Sequence, residues 1–244
     1  MAESRLSQSV EDYLKAVYRL RKPGKAVGTT ALAEELSVAP ASVTGMLKRL
    51  SKDGYIDYTP RQGAELTAKG LEVALEIIRH HRLLESFFVK RLGMDWDQAH
   101  REAEVLEHYI SEELENIIDQ VMGHPDADPQ GLPIPTREGE VRQQPWPSLA
   151  EMEAGQNCTV RLVQHTERDL LGHIESLGLL PGTKVKVCEV GPFEGPIELQ
   201  VGDRTFHLGH KVAAAIHVEP VAEAAGQKRS RPRSGSVGRD DSKG

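Results

Sequence analysis

Cysteine is scarce in this sequence: Cys158 and Cys188 are the only two among 244 residues. That excludes a disulfide framework, and their wide separation excludes a paired zinc or redox motif, leaving two small hydrophobes. Long apolar runs are missing too. Nothing approaches the roughly 20 residues of a membrane span, and the opening "MAESRLSQSVEDYLKAVYRL" has neither an apolar signal core nor a small-residue cleavage site. A cytoplasmic protein with no membrane partner is expected. A Ser/His/Asp elbow, a phosphate-cradling loop and a dinucleotide fingerprint are also missing. No catalytic residue is assigned, and neither enzymatic activity nor a small-molecule substrate is expected. Positive charge is short overall, with 30 Lys+Arg against 37 Asp+Glu, which at first argues against a polyanionic partner.

The charge is unevenly placed. The first 70 residues carry 11 Lys+Arg against 8 Asp+Glu, residues 71–124 carry 5 against 12, and the last 24 carry 6 against 3. Local sign, not the total, governs attraction to phosphates. A nucleic-acid partner therefore remains open for the N-terminal segment, and the acidic block needs a separate explanation.

The N-terminal segment reads as a winged helix-turn-helix. After Ser7, the residues Val10, Tyr13, Leu14 and Val17 recur at helical spacing, predicting a helix from about Gln8 to Arg21 that Pro23 and Gly24 end. Thr29–Val38 reads as a short helix capped by Thr29 or Thr30. Ala39–Gly54 follows with Pro40 in its first turn, an apolar face of Val43, Met46, Leu47 and Leu50, and a terminating Gly54. "YIDYTPRQGAELT" reads as two short strands around a turn at Pro60–Gly63. In such a unit the second helix enters the major groove and the wing meets the backbone. Pro40, Ala41, Ser42, Thr44 and Gly45 then face base edges, Lys48, Arg49 and Arg61 face phosphates, and Thr29 is a further candidate DNA contact. The front of this helix has no Arg, Asn or Gln for bidentate base reading, so direct readout is expected to be modest, with more from thymine methyls, water and DNA shape. A winged unit used only for protein contacts is the alternative.

Further on, Thr67 is expected to cap a long helix from Ala68 to Leu92, ended by Gly93. Asp95, with Gln98 three residues on, is expected to cap a second that runs unbroken from Trp96 to about Met122, where Gly123 stops it. Trp96 is read as packing at that helix's start. "HPDADPQGLPIP" (124–135) has too much proline and glycine for regular structure. Residues 155–220 are short alternating segments between turns such as "LLPGT" and "GPFEGP", a small β-barrel pattern with a short helix near Glu167–Leu177. The expected division is a winged domain over 1–70, a helical domain over 71–136, a linker over 137–154, a barrel over 155–220 and a disordered basic tail over 221–244.

The acidic block raises a metal question. On one helix, Glu104, Glu107 and His108 share a face, with His100 one turn earlier; His81 and Glu85 form an i, i+4 pair on the helix before. Crowded carboxylates cost free energy unless a cation neutralises them, and carboxylates with imidazole are an ordinary divalent ligand set. The plain alternative is a solvated acidic face, which is the reading kept for Glu112–Glu115. A diiron bundle is disfavoured because no Glu-x-x-His stands near His81.

"SVEDYLKAVYRL", "APASVTGMLKRLSKDGYI", "LTAKG", "RHHRLLESFF", "EAEVLEHYIS" and "HPDADPQGLPIP" together resemble the diphtheria toxin repressor / manganese transport regulator family over about residues 5–220. The resemblance implies a mainly α protein with a small β part: a winged helix-turn-helix, a helical dimerisation domain and a C-terminal SH3-like barrel similar to small ferrous-transport proteins. It implies a homodimer on a double-stranded DNA operator, activated by Mn²⁺, with Fe²⁺ as the alternative, at two sites per subunit. By position, the primary ligands fall on Asp12, Glu104, Glu107 and His108, and the ancillary ones on His81, Glu85, His100 and Glu167. Iron-type members have methionine and cysteine where this chain has Asp12 and Glu104; carboxylates there follow the manganese type and make a hard donor set. Two positions depart from the family. Leu170, beside the expected Glu167 donor, cannot ligate. Lys15 stands where binuclear manganese-type members have a carboxylate, so two separated sites are expected. A winged regulator answering a small organic ligand, a metallohydrolase and a structural metal-binding module are the competing readings.

Overall fold

The computed structural model describes residues 6–142, 145–164 and 168–221. Glu167 and residues 222–244, all but the first residue of the expected tail, lie outside the described residues. Eight helices and seven strands are found among the described residues: α1 (Gln8–Leu20), α2 (Thr29–Glu35), α3 (Pro40–Lys52), β1 (Ile56–Thr59), β2 (Gly63–Leu66), α4 (Ala68–Leu92), α5 (Trp96–Leu106), α6 (Glu112–Val121), β3 (Asn157–Val163), α7 (Arg168–Ser176), β4 (Lys184–Val190), β5 (Ile197–Val201), β6 (Arg204–Leu208), α8 (His210–Ala214) and β7 (Ile216–Pro220).

The winged unit closes around Leu14, Val17, Leu32, Val43, Leu47, Leu50 and Ile56, all buried. Pro40 opens α3 in the position where its missing N–H costs nothing. β1 and β2 pair antiparallel, and Val27 bridges to Ala64 on the far side of β2. Gly63 makes that approach possible: its φ is 119°, and a Cβ there would lie 2.6 Å from the Val27 carbonyl oxygen. Two expected caps differ. Ser7 has the extended cap backbone but no side-chain bond, and Gly28, not a threonine, holds the cap position of α2, with Thr29 already helical.

α4 joins two cores. Thr67 caps it by accepting from Gly70 N, and Gly93 ends it in the left-handed conformation. Its first half contributes Ala74 to the winged core, and its second half puts Leu83, Leu84 and Phe88 against Ala99, Ala103, Ile110 and Ile118. One continuous helix thus carries the DNA-binding unit and the helical unit.

The expected single helix from Trp96 to Met122 is two. Glu107 caps the C-terminus of α5, Ser111 turns extended and accepts from Leu114 N, and α6 starts with Glu112, Glu113 and Glu115 in its first turn. A serine cap followed by acids is a helix start that suits the helix dipole; the apolar periodicity on both sides masked it. The break places His108 in a turn.

The C-terminal unit is a five-stranded antiparallel sheet in the order β6-β5-β4-β3-β7, with register shifts in β3 and β4 that curl it over a buried core of Val160, Ile174, Val187, Leu199 and Val218. Trp96, from the start of α5, is buried in this same core, and α7 packs on α5. Leu149 and Met152, within the stretch read as linker, are also part of it, and Val218 N donates to the Pro147 carbonyl. The proline-rich segment 125–135 runs between the units. Its Gly131 passes so close to β3 that a Cβ would lie 2.0 Å from the Arg161 carbonyl oxygen.

Candidate metal centre

The polar face of α1 carries Glu11 and Asp12, with Lys15 one helical turn on, and faces the end of α5. Two groups of donors converge there. Asp12, Glu107 and His108 offer one ligand atom each, all within 4.8 Å of one another, and so do His81, His100 and Glu104. The first group links the DNA-binding unit to the helical unit; the second lies between α4 and α5.

His108 is oriented by a residue the sequence reading did not single out. Its Nδ1–H donates to Glu11 Oε2 at 2.6 Å, which leaves Nε2 aimed at Asp12 Oδ1, 3.1 Å away, and Glu107 Oε1, 3.5 Å away. Nε2 is buried and makes no well-aligned hydrogen bond. A buried ring nitrogen left between two carboxylates, its partner nitrogen held by a third, is the arrangement that fits a divalent cation. Burial opposes charge on this ring, but Asp12 and Glu11 outweigh it and push His108 up to about 9.

Around the second group, His81 Nδ1–H donates to Glu107 Oε2 at 2.6 Å, and His100 Nδ1–H donates to Glu85 Oε1 at 2.8 Å. Glu85 Oε1 also lies 3.1 Å from His81 Nε2. His81, Glu85 and His100 therefore meet; the fourth residue of the ancillary set that the resemblance implies, Glu167, lies outside the described residues. Burial works against a charged His81, yet Glu85 and Glu107 hold its pKa above the ordinary value. Burial likewise opposes ionised Glu85, and His81 and His100 hold it well below the usual carboxylate range.

Glu104 departs from the expected grouping. The resemblance groups it with Asp12, Glu107 and His108; its carboxylate lies with His81 and His100. Lys15 stands between the two carboxylates: its Nζ donates to Glu104 Oε1 at 2.9 Å and to Glu107 Oε1 at 2.6 Å. Burial raises the Glu104 pKa, but Lys15, His81 and Arg19 overcome it and hold the carboxyl down at about 2. A cleft of about 980 Å³ between α1, α4, α5 and the barrel opens onto this group and gives a small ion access.

Glu115 corrects the expectation of a solvated acid. Glu112 and Glu113 are exposed, but Glu115 is buried and accepts from Arg79 Nε at 2.6 Å. Despite burial, His80 and Arg79 hold its pKa at about 2. His80 Nδ1–H donates to the Glu107 carbonyl at 3.1 Å and its Nε2 lies 3.4 Å from Glu115 Oε2. The turn after α5 is thereby tied to α6, whose outer face leaves Leu114, Ile117 and Val121 exposed next to Val105, Leu106 and Tyr109 of the preceding segment.

On the winged unit, Pro40, Ala41, Ser42, Gly45, Lys48 and Arg49 are exposed along α3, and Thr29 and Thr44 are half-buried. The Thr44 hydroxyl donates back to the Pro40 carbonyl at 3.1 Å, and Arg49 Nε lies 3.8 Å from Asp53. Arg61 stands exposed at the wing tip with φ 69°.

Comparison with known proteins agrees with this architecture. Residues 5–64 match the family described as iron dependent repressor, N-terminal DNA binding domain; residues 67–136 match its metal binding and dimerisation domain; residues 148–220 match the FeoA domain. The chain is 31% identical over 229 residues to the iron-dependent repressor IdeR of Mycobacterium tuberculosis, covering 88% of this chain and 99% of that one. The chain belongs to the diphtheria toxin repressor / manganese transport regulator family. It has that family's three units: a helix-turn-helix DNA-binding domain, a helical dimerisation domain and a FeoA, SH3-like domain. It is also 34% identical over 123 residues to the HTH-type transcriptional regulator MntR of Listeria welshimeri, 49% of this chain and 86% of that one. A solved structure described as a manganese-dependent transcriptional repressor complex with manganese superposes with a TM-score of 0.79 at 33% identity, covering 87% of this chain and 100% of the other. Members of this family are metal-dependent transcriptional regulators, not enzymes. No helix among the described residues is long and apolar enough to cross a membrane.

Proposed function

We propose that this family member is a homodimeric, manganese-responsive repressor of metal-uptake genes that also accepts Fe²⁺ and acts in the cytoplasm. The observation that carries the reading is the convergence of Asp12, on the DNA-binding unit, with Glu107 and His108, on the dimerisation unit. A divalent cation there supplies a bond between the two units. The donors at both groups are carboxylate and imidazole only, a hard set that suits Mn²⁺ and admits Fe²⁺. Cys158 is no competitor: it is buried in the barrel, and burial pushes its thiol up to about 11. The two groups would hold two ions per subunit, Asp12, Glu107 and His108 at one and His81, His100 and Glu104 at the other, with Glu85 behind the two histidines.

The chain's own residues do the coupling. Asp12 fixes α1 to the turn after α5, and α4 carries the winged unit rigidly from there. The exposed apolar strip on α6 and around Tyr109 meets its copy, setting two recognition helices at half-sites one DNA turn apart or a multiple. Ser42, Gly45 and the other exposed residues at the front of α3 meet base edges, and Lys48, Arg49 and Arg61 meet phosphates. Metal and operator must then strengthen each other's binding by the same factor. The experiment is a titration of a promoter fragment by the full chain with Mn²⁺, Fe²⁺ or chelator. Chelator should abolish specific binding, and His108→Ala should bind no better with Mn²⁺ than without. Metal-stimulated operator binding by His108→Ala at wild-type strength refutes the coupling.

A further inference from the structure

We propose that Lys15 is a tethered counter-cation that competes with the divalent ion for Glu104 and Glu107, and so sets the metal concentration at which the centre fills. The proposal rests on the metal-regulated reading above and concerns a residue which that reading leaves without a role.

The Lys15 side chain is 5% exposed, and its ammonium contacts a Glu107 side chain with no exposure at all. A charge this deep survives only with close partners. Its partners are one oxygen from each donor group: Glu104 Oε1 at 2.9 Å and Glu107 Oε1 at 2.6 Å. The other Glu107 oxygen accepts from His81. Both oxygens of the buried carboxylate are thus engaged by protein N–H groups, and an ion that takes Glu107 as a ligand must share an oxygen with one of them or displace it. Position on α1 explains the reach. Lys15 is three residues after Asp12, so its side chain enters the same crossing from the same helix face.

Three effects then act in one direction. The ammonium competes for the ligand oxygens. It repels a dication that settles nearby, strongly in a buried setting. It also relieves the mutual repulsion of Glu104 and Glu107, so the unfilled centre is stable and gains less from an ion. Removing the charge strengthens metal binding by all three routes. A lysine that serves only to staple α1 to α5 predicts the reverse: without it the crossing loosens, and affinity falls with stability.

The test uses the full chain and Mn²⁺ alone. Lys15→Met keeps length without charge, and Lys15→Gln keeps a donor without charge. Competition against a fluorescent chelator gives the Mn²⁺ dissociation constant, and thermal melting in chelator gives the stability of the unfilled protein. The expected result is Mn²⁺ binding at least about tenfold tighter in both variants, with a lower melting point in chelator and a larger rise on adding Mn²⁺. Unchanged or weaker binding by a folded variant overturns the proposal. A second readout needs no variant: in the wild type, Mn²⁺ should speed acetylation of Lys15 measured by mass spectrometry, and an unchanged rate overturns it equally. Failure of the wild type to bind Mn²⁺ would instead sink the metal-regulated reading itself.

Discussion

Glu11 Oε2 lies 2.6 Å from His108 Nδ1, a contact between residues 97 apart in sequence and between two different units. It settles which nitrogen of His108 faces Asp12 and Glu107, and so which one can ligate. A carboxylate behind a ligating histidine fixes the ring and raises its basicity, and losing such a partner typically weakens metal binding about 10–100-fold. Glu11→Gln should show a loss of that size in Mn²⁺ affinity with an unchanged circular dichroism spectrum. Wild-type affinity in the variant would mean that Glu11 does not orient the ring.

As a ligand, His108 would also make metal binding pH-dependent. With its pKa pushed up to about 9, the ring is charged at neutral pH, and a charged imidazole cannot ligate. Binding must release that proton, so affinity should fall by about tenfold for each pH unit below 9. The stability of the protein without metal runs the other way. The raised pKa adds stability that is complete below the unfolded value of about 6.5 and lost as pH rises through about 9. Calorimetric Mn²⁺ titrations at pH 7.5 in buffers of different ionisation heat should report about one proton released from this group. Titrations showing no release would contradict a charged His108.

Arg79 ties α4 to α6 through Glu115 at 2.6 Å and Asp119 at 3.0 Å, and donates to the Pro135 carbonyl at 2.8 Å. The Arg79 and Glu115 side chains are only 10% and 8% exposed. Removing one partner of such a pair leaves an uncompensated buried charge and costs about 3–5 kcal/mol. Arg79→Ala should lose roughly 3 kcal/mol in urea unfolding and loosen α6. A loss below about 1 kcal/mol, the range of exposed pairs, would show that solvent reaches the pair.

Ile117 is 50% exposed on α6, beside Leu114 and Val121. Apolar side chains grouped in this way mark an association face. Ile117→Arg should convert the dimer to monomer in sedimentation experiments and greatly weaken operator binding, while Mn²⁺ binding survives because Ile117 is not among the donors. A variant that stays dimeric would move the interface elsewhere.

Sequence pattern alone determined a large part of this protein. Cap residues such as Thr67, Asp95 and Gly93, helical periodicity in α1, α3 and α4, and the turn at Pro60–Gly63 are local signals. Local signals are legible because backbone hydrogen bonding is decided within a few residues. The histidines and carboxylates at 81, 85, 100, 104, 107 and 108 were legible for the same reason, through i, i+3 and i+4 spacing. The break after Glu107 was not, because the apolar rhythm runs through it and a serine cap is a weaker signal than that rhythm. Contacts across long separations were decided only by the tertiary structure: Glu11 behind His108, Lys15 between Glu104 and Glu107, Glu115 buried on Arg79, Trp96 in the barrel core. Spacing along a chain shows which side chains share a face. Which face meets it, and which charge neutralises it, depends on how α1, α4, α5 and α6 cross, and that crossing is set by packing of the shared cores.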